Sequence, residues 1–404
     1  MHSGCSDRPR LNPLDPKNPN TLGKPTGLRV VSMRDTVELR WNRLEVNNLT
    51  GFRIYRQKEG ESNFAPIAQT SARSFTFRDL GVSFGIVHSY CISALAEEFE
   101  SSLSDVVSIT PGPTFSWVAD DQFGALIKLS HDGMHEILRT EIFYSPSRLQ
   151  IDAKRRCVWV LAGYERTLGR FEMNGLLTTR VKLTAQPVDL AVDPQDGSVW
   201  VADTSTTGLM KFDNTGALID RFESYKKIAA LAVHPETSEL WVLDRSSFRI
   251  LILSSTGELR RITKITLQRP SDIDIDERTG KVWIADGTRV MRLDAQGELE
   301  TFSTLPFRFA YRLAADRTSG ACWCIDYSSK IRDSRIIKLA ATGEINLPAF
   351  EGFDIPQSLA VNPYDGSCLV ADTGNHRLVR ISSDGRILGF YDQIYSPVDI
   401  DTAL

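Results

Sequence analysis

Aspartate is the residue most regularly placed for chemistry in this chain. It recurs at Asp120, Asp203, Asp244, Asp286, Asp326 and Asp372, and again in a second set at Asp189, Asp272, Asp274, Asp399 and Asp401. Carboxylates brought together can bind a hard cation such as Ca²⁺ through oxygen, or split their pKa values and work as acid and base. Other reactive types are scarce. The six histidines, His2, His88, His131, His135, His234 and His376, form no ligand-spaced cluster. The six cysteines, at 5, 91, 157, 322, 324 and 368, include no CxxC pair and read as buried free thiols. No Gly-x-Ser-x-Gly elbow, phosphate loop or HExxH helix occurs, which leaves the carboxylates as the chemistry to explain.

The elements that position them repeat. Tetrapeptides begin at Trp117, Trp159, Trp200, Trp241, Trp283, Trp323 and Leu369, 40 to 46 residues apart. Each is followed by a turn glycine, at 133, 175, 216, 257, 297, 343 and 385. Six are preceded by a second apolar series: Arg148-Leu-Gln-Ile-Asp152, Asp189-Leu-Ala-Val-Asp193, Ala230-Leu-Ala-Val-His234, Asp272-Ile-Asp-Ile-Asp276, Arg312-Leu-Ala-Ala-Asp316 and Ser358-Leu-Ala-Val-Asn362. An orphan copy, Asp399-Ile-Asp-Thr-Ala403, ends the chain. Four short strands at a period near 40 predict a β-propeller of seven blades over residues 114–404. The terminal strand is expected to complete the first blade and close the ring. The strict period of the tryptophans predicts packing between blades, and the tetrapeptide aspartates suit Asx-type turns.

Residues 356–380 carry a closer likeness. Val370-Ala-Asp-Thr-Gly-Asn-His-Arg377, preceded by Ala360-Val-Asn362, resembles an NHL repeat, with Asn362 where that repeat has Asp. The resemblance implies that the second series is the innermost strand of each blade. Its first column then reads Arg148, Asp189, Ala230, Asp272, Arg312, Ser358 and Asp399, and the column two residues on reads Gln150, Ala191, Ala232, Asp274, Ala314, Ala360 and Asp401. Five aspartates and two arginines converge on one channel. Two expectations follow: a salt-bridged cluster around Arg148 and Arg312, or a Ca²⁺ site formed by Asp272, Asp274, Asp399 and Asp401. In either case the ligand-binding residues are Arg148, Asp189, Asp272, Arg312 and Asp399. Related folds include lyases and lactonases with an axial metal, but no inner column here offers a histidine cluster.

Residues 25–110 show period-2 strands separated by turns: Leu28–Val31, Val37–Trp41, Phe52–Arg56, Ser74–Phe77, His88–Ala94 and Val106–Thr110. Pro25, Trp41, Tyr55 and Tyr90-Cys-Ile-Ser-Ala94 resemble a fibronectin type III β-sandwich. Leu80 stands ten residues before Tyr90, so a distorted tyrosine corner is expected. Pro111-Gly-Pro113 is read as a linker, and residues 1–24, rich in Pro and Asn, as a tether. Ser3-Gly4-Cys5 resembles the end of a bacterial lipobox, with Cys5 the lipidated residue. An extracytoplasmic lipoprotein, periplasmic or at the outer membrane, is expected if Met1 is not the true start, and a cytoplasmic protein otherwise.

Composition narrows the classes further. With 47 basic and 51 acidic side chains the net charge is −4, and the only basic doublets of note are Arg155-Arg156 and Lys226-Lys227, so nucleic acid is not an expected partner. No apolar run reaches the ~18–20 residues of a membrane span, leaving Cys5 as the only expected membrane contact. The chain is therefore expected to be all-β and monomeric. Its expected role is as a non-enzymatic binding or scaffold protein of the cell envelope for a protein or glycan partner. A metal-dependent hydrolase or lyase acting through the axial carboxylates is the alternative.

Overall fold

The computed structural model describes residues 12–404 except 19, 34, 98, 142, 204–207 and 305. Cys5 and the lipidation expected there lie outside the described residues. The chain divides into two compact units: Met1–Pro113 with Ser130–His135, and Thr114–Leu129 with Glu136–Leu404.

In the first unit, strands Arg29–Ser32, Val37–Arg40 and Thr76–Asp79 form one antiparallel sheet. Ala65–Ser71, Leu49–Lys58, His88–Ala96, Phe99–Glu100 and Val107–Ile109 form the other. Alternate residues of both sheets share one core containing Leu39, Trp41, Phe52, Ile54, Tyr90 and Ile92. Two strands were not legible in the sequence. Ala65–Ser71 is an exposed edge strand with little apolar alternation, and Pro66 is tolerated there because an edge strand can forgo a ladder N–H. Phe99–Glu100 spans only two residues. Leu80 is exposed, and the Tyr90 hydroxyl instead donates to the Asp79 carboxylate at 2.9 Å, where Arg56 also donates at 2.7 Å.

The second unit is all-β and propeller-like. Among the described residues it contains seven four-stranded antiparallel sheets, and the second to seventh run in chain order from the inner strand outward. The inner strands of the second to seventh sheets are Pro146–Asp152, Pro187–Val192, Ile228–Val233, Pro270–Ile275, Ala310–Asp316 and Pro356–Val361. The first sheet takes its inner strand from the end of the chain. Pro397–Ala403 pairs antiparallel with Phe115–Asp120, with Asp399 opposite Ala119 and Asp401 opposite Trp117. Pairing residues 115–120 with 397–403 ties the two ends of this unit into one sheet.

Trp117, Trp159, Trp200, Trp241, Trp283 and Trp323 are fully buried. Each belongs to the apolar cluster of the following sheet: Trp241 lies with Ile273, Ile284 and Met291, and Trp323 with Leu359, Val370 and Val379. At the last junction Leu369 lies with Val118, Ile127 and Ile400 of the first sheet. The period of about 40 residues is thus the spacing needed to offer one large ring to each neighbouring sheet. The turn glycines meet a similar constraint. Gly257 has φ +85°, and a Cβ there would stand 2.2 Å from the Phe222 ring of the preceding sheet.

Candidate functional site

An inner strand has a ladder partner on one side only, so every second N–H faces away from its own sheet and needs another acceptor. The channel columns supply it. Asp399 Oδ2 accepts Leu149 N–H at 2.7 Å, and Asp401 Oδ2 accepts Ile151 N–H at 2.7 Å. Gln150 Oε1 accepts Val192 N–H at 2.8 Å, and Asp189 Oδ2 accepts Leu231 N–H at 2.8 Å. Asp272 Oδ2 accepts Leu313 N–H at 2.9 Å, and Asp274 Oδ2 accepts Ala315 N–H at 2.8 Å. In every case the donor belongs to the inner strand of the next sheet. The five aspartates are lateral ties between strands that no ladder joins, a role the sequence reading did not assign. Gln150 performs it too, although its column position was the only signal.

The second oxygens are largely committed as well. Asp399 Oδ1 takes the Ser358 hydroxyl at 2.7 Å, and Asp272 Oδ1 takes Arg312 Nη1 at 3.0 Å. Asp274 Oδ1 and Asp401 Oδ1 accept the N–H groups of Ile275 and Thr402. Arg148 donates to the Ser147 carbonyl at 2.6 Å, and its Nε stands 3.7 Å from Asp189 Oδ1. Among the described residues, Arg148 Nε and Arg312 Nε are buried without a hydrogen-bond partner. Acceptors at this mouth are therefore mostly consumed, while guanidinium donors remain.

Burial is the leading influence on the channel acids. It pushes Asp189 up to about 6 against the pull of Arg148, and Asp274 up to about 6 against backbone donors. Asp401 rises to about 7, and Asp399 is raised with Arg148 opposing. Asp272 is pushed well above the usual carboxylate range by burial and then by the Asp189 charge. Arg148 stays charged because Asp399 and Asp189 outweigh the burial that works against it.

The seven expected site residues, Arg148, Asp189, Asp272, Asp274, Arg312, Asp399 and Asp401, line one cavity of about 690 Å³ together with Ser358 and Gln150. They do not close around a cation. Asp272 and Asp274 sit on the fifth sheet and Asp399 and Asp401 on the first, with the sixth and seventh inner strands between them. Among the described residues no group of three His, Cys, Asp or Glu side chains is arranged to hold a metal.

The tetrapeptide aspartates also differ from the expected Asx turns. Among the described residues Asp120 and Asp244 do accept the N–H two residues on, and the turn after Asp203 lies outside the described residues. Asp286 instead clamps the N–H groups of Gln268 and Arg269, Asp326 those of Arg308 and Phe309, Asp120 those of Tyr395 and Ser396, and Asp372 that of Asp354. These are the segments by which the chain enters each inner strand. The side-chain turns occur at the other end of that strand, where Asp193, Asp276, Asp316 and Asn362 accept the N–H two residues later. His234 takes the same place, with its Nδ1 3.3 Å from Glu236 N–H. It is a turn residue there.

No family model matches the chain, and no curated protein matches it. Solved structures share its fold. A functionally unknown protein from Desulfotomaculum acetoxidans is similar with a TM-score of 0.59 and 14% identity over 71% of this chain and 98% of that one. A streptogramin B lyase is similar at 0.53, with 15% identity over 64% and 87%. Virginiamycin B lyase from Staphylococcus aureus, in a catalytically inactive form with quinupristin, is similar at 0.52, with 16% identity over 63% and 87%. At such identities the likeness establishes a β-propeller-like fold and leaves function to the site.

Proposed function

We propose that the chain is a non-enzymatic binding protein whose channel mouth, around Arg148, Asp189, Asp272, Arg312 and Asp399, recognises an acceptor-rich group such as a carboxylate on a protein or glycan partner. One observation carries this reading: the channel acceptors are spent on the edge amides of neighbouring strands, whereas the same cavity is lined by the side chains of two arginines, Arg148 and Arg312. A guanidinium held in a low-dielectric site binds carboxylate through short, charge-assisted hydrogen bonds. The same commitments speak against a Ca²⁺ cage, which needs six or more oxygen ligands free to turn inward.

In this reading the seven sheets are the blades of one closed NHL-like propeller. Support comes from the cyclic packing of each sheet on the next and from the Asn375 and Arg377 side chains, both of which donate to Asp372 in the repeat-like segment. The first unit is a fibronectin type III module, which its two-sheet strand order supports. The protein works outside the cytoplasm, with lipid on Cys5, and as a monomer.

The test is a thermal-shift panel of small mono- and dicarboxylates on the full chain and on Arg148→Gln and Arg312→Gln. Carboxylates should raise the transition of the wild type and leave both variants unmoved. Equal shifts in all three proteins would overturn the reading. Turnover of a lactone or peptidyl substrate that depends on Asp274 or Asp401 would favour the hydrolase or lyase alternative.

A further inference from the structure

Residues of the fifth, sixth and seventh sheets line a second, open cavity of about 530 Å³, within the size range of small-ligand sites. Its floor is aromatic. Phe309 and Tyr311 have ring centroids 6.2 Å apart and Tyr311 and Tyr327 5.3 Å apart, all mutually tilted. The Tyr311 hydroxyl donates to Gln357 Oε1 at 3.0 Å, which holds the ring in place.

The rim carries Arg269, whose guanidinium lies 4.8 Å from the Phe309 centroid. Its backbone N–H is held by Asp286 at 2.7 Å, so the residue is anchored. Arg289, Arg335 and Arg377 each pair with the buried aspartate of their own sheet, Asp286, Asp326 and Asp372. Among the described residues no carboxylate lies within ion-pair distance of Arg269, which leaves an exposed guanidinium beside the Phe309 ring.

We infer that this cavity binds an acidic sugar, a pyranose bearing a carboxylate. The carboxylate sits on Arg269, and the apolar C–H face of the ring lies on Tyr311 and Tyr327. Aromatic faces carry partial negative charge and attract the weakly positive C–H groups of such a ring. Arg269 supplies the charge for the carboxylate, and the hydroxyls of Tyr327, Ser328 and Ser329, which also line the cavity, can donate to or accept from sugar hydroxyls. The inference rests on the proposed reading of this part of the molecule as a binding surface and names its ligand class.

The experiment is calorimetric titration of the full chain with trigalacturonate and with neutral galactotriose. Trigalacturonate should bind, with galactotriose about tenfold weaker or more. Arg269→Gln should bring the acidic sugar down to the neutral level, Tyr327→Ala should weaken both, and Arg269→Lys should recover part of the preference. Arg221→Gln, on the exposed strand Leu218–Phe222 and outside both cavities, should leave the titration unchanged. Absence of saturable binding, or equal binding of the two sugars, overturns the inference. Loss through Arg148→Gln rather than Arg269→Gln overturns it too, while upholding recognition at the channel mouth.

Discussion

Replacing Asp399 by alanine removes one acceptor from two donors, the Leu149 N–H and the Ser358 hydroxyl, both at 2.7 Å. Both donor residues are buried, at 6% and 4% exposure. A buried donor left unsatisfied costs about 1–3 kcal/mol, so the two together set an upper range of about 2–6 kcal/mol. Two effects reduce it: the Ser358 hydroxyl can rotate, and burial already disfavours the Asp399 charge, so its removal returns part of the loss. A net loss of about 2–3 kcal/mol is expected, which at roughly 2–4 °C per kcal/mol for a large domain lowers the second unit's transition by about 4–12 °C. Asp399→Asn keeps a carbonyl for Leu149 and offers N–H₂ to the Ser358 oxygen, so its loss should stay near 1 kcal/mol or below. Differential scanning calorimetry of the full chain, with added calcium and with chelator, reads both variants. An unshifted alanine variant, an asparagine variant as damaged as the alanine one, or a loss seen only when calcium is present would refute the assignment of Asp399 as an interstrand acceptor.

Other outcomes follow from the same geometry. Asp189, Asp274 and Asp401 have folded-state pKa values raised to about 6, 6 and 7, so the stability they confer is complete below the unfolded value of about 4 and is lost as pH rises through those values. Denaturant midpoints should therefore fall between about pH 4 and 7, and Asp401→Asn should flatten that slope; a slope unchanged by the substitution would contradict the sign. Trp200→Ala, which empties a fully buried site between the third and fourth sheets, should cost about 3–5 kcal/mol in urea unfolding, and a cost under about 1 kcal/mol would exclude the packing role. Asp326→Ala should free the Arg308–Phe309 entry segment and destabilise by about 1–3 kcal/mol, with faster amide exchange confined to that segment; a spread of exchange through the sheet would argue against a local clamp.

The repeat was legible because its signal is apolar and periodic: one tryptophan in each of six sheets, with Leu369 in the seventh, and one turn glycine in each repeat. The terminal strand could be placed because Asp399-Ile-Asp copies the second series. The edge strand at Ala65–Ser71 escaped because half-exposed residues need not alternate. At the channel, sequence could gather Arg148, Asp189, Asp272, Asp274, Arg312, Asp399 and Asp401, since a two-residue period fixes which side chains share a column. It could not show what their oxygens face, because that depends on the offset between neighbouring inner strands, which no single strand encodes. The cavity at Arg269, Phe309, Tyr311 and Tyr327 was illegible for a related reason: its residues come from three different sheets and share no repeat position.

The occupancy of the channel oxygens is most directly measured by residue-resolved amide hydrogen exchange on the wild type and Asp272→Ala. Protection of the Leu313 N–H should drop by about tenfold or more in the variant while that of Leu231, held by Asp189, stays as it was. Unchanged protection at Leu313, joined by new protection of the wild-type channel on adding calcium, would mean that the carboxylates are free for a metal and that the mouth is not the donor-rich site described.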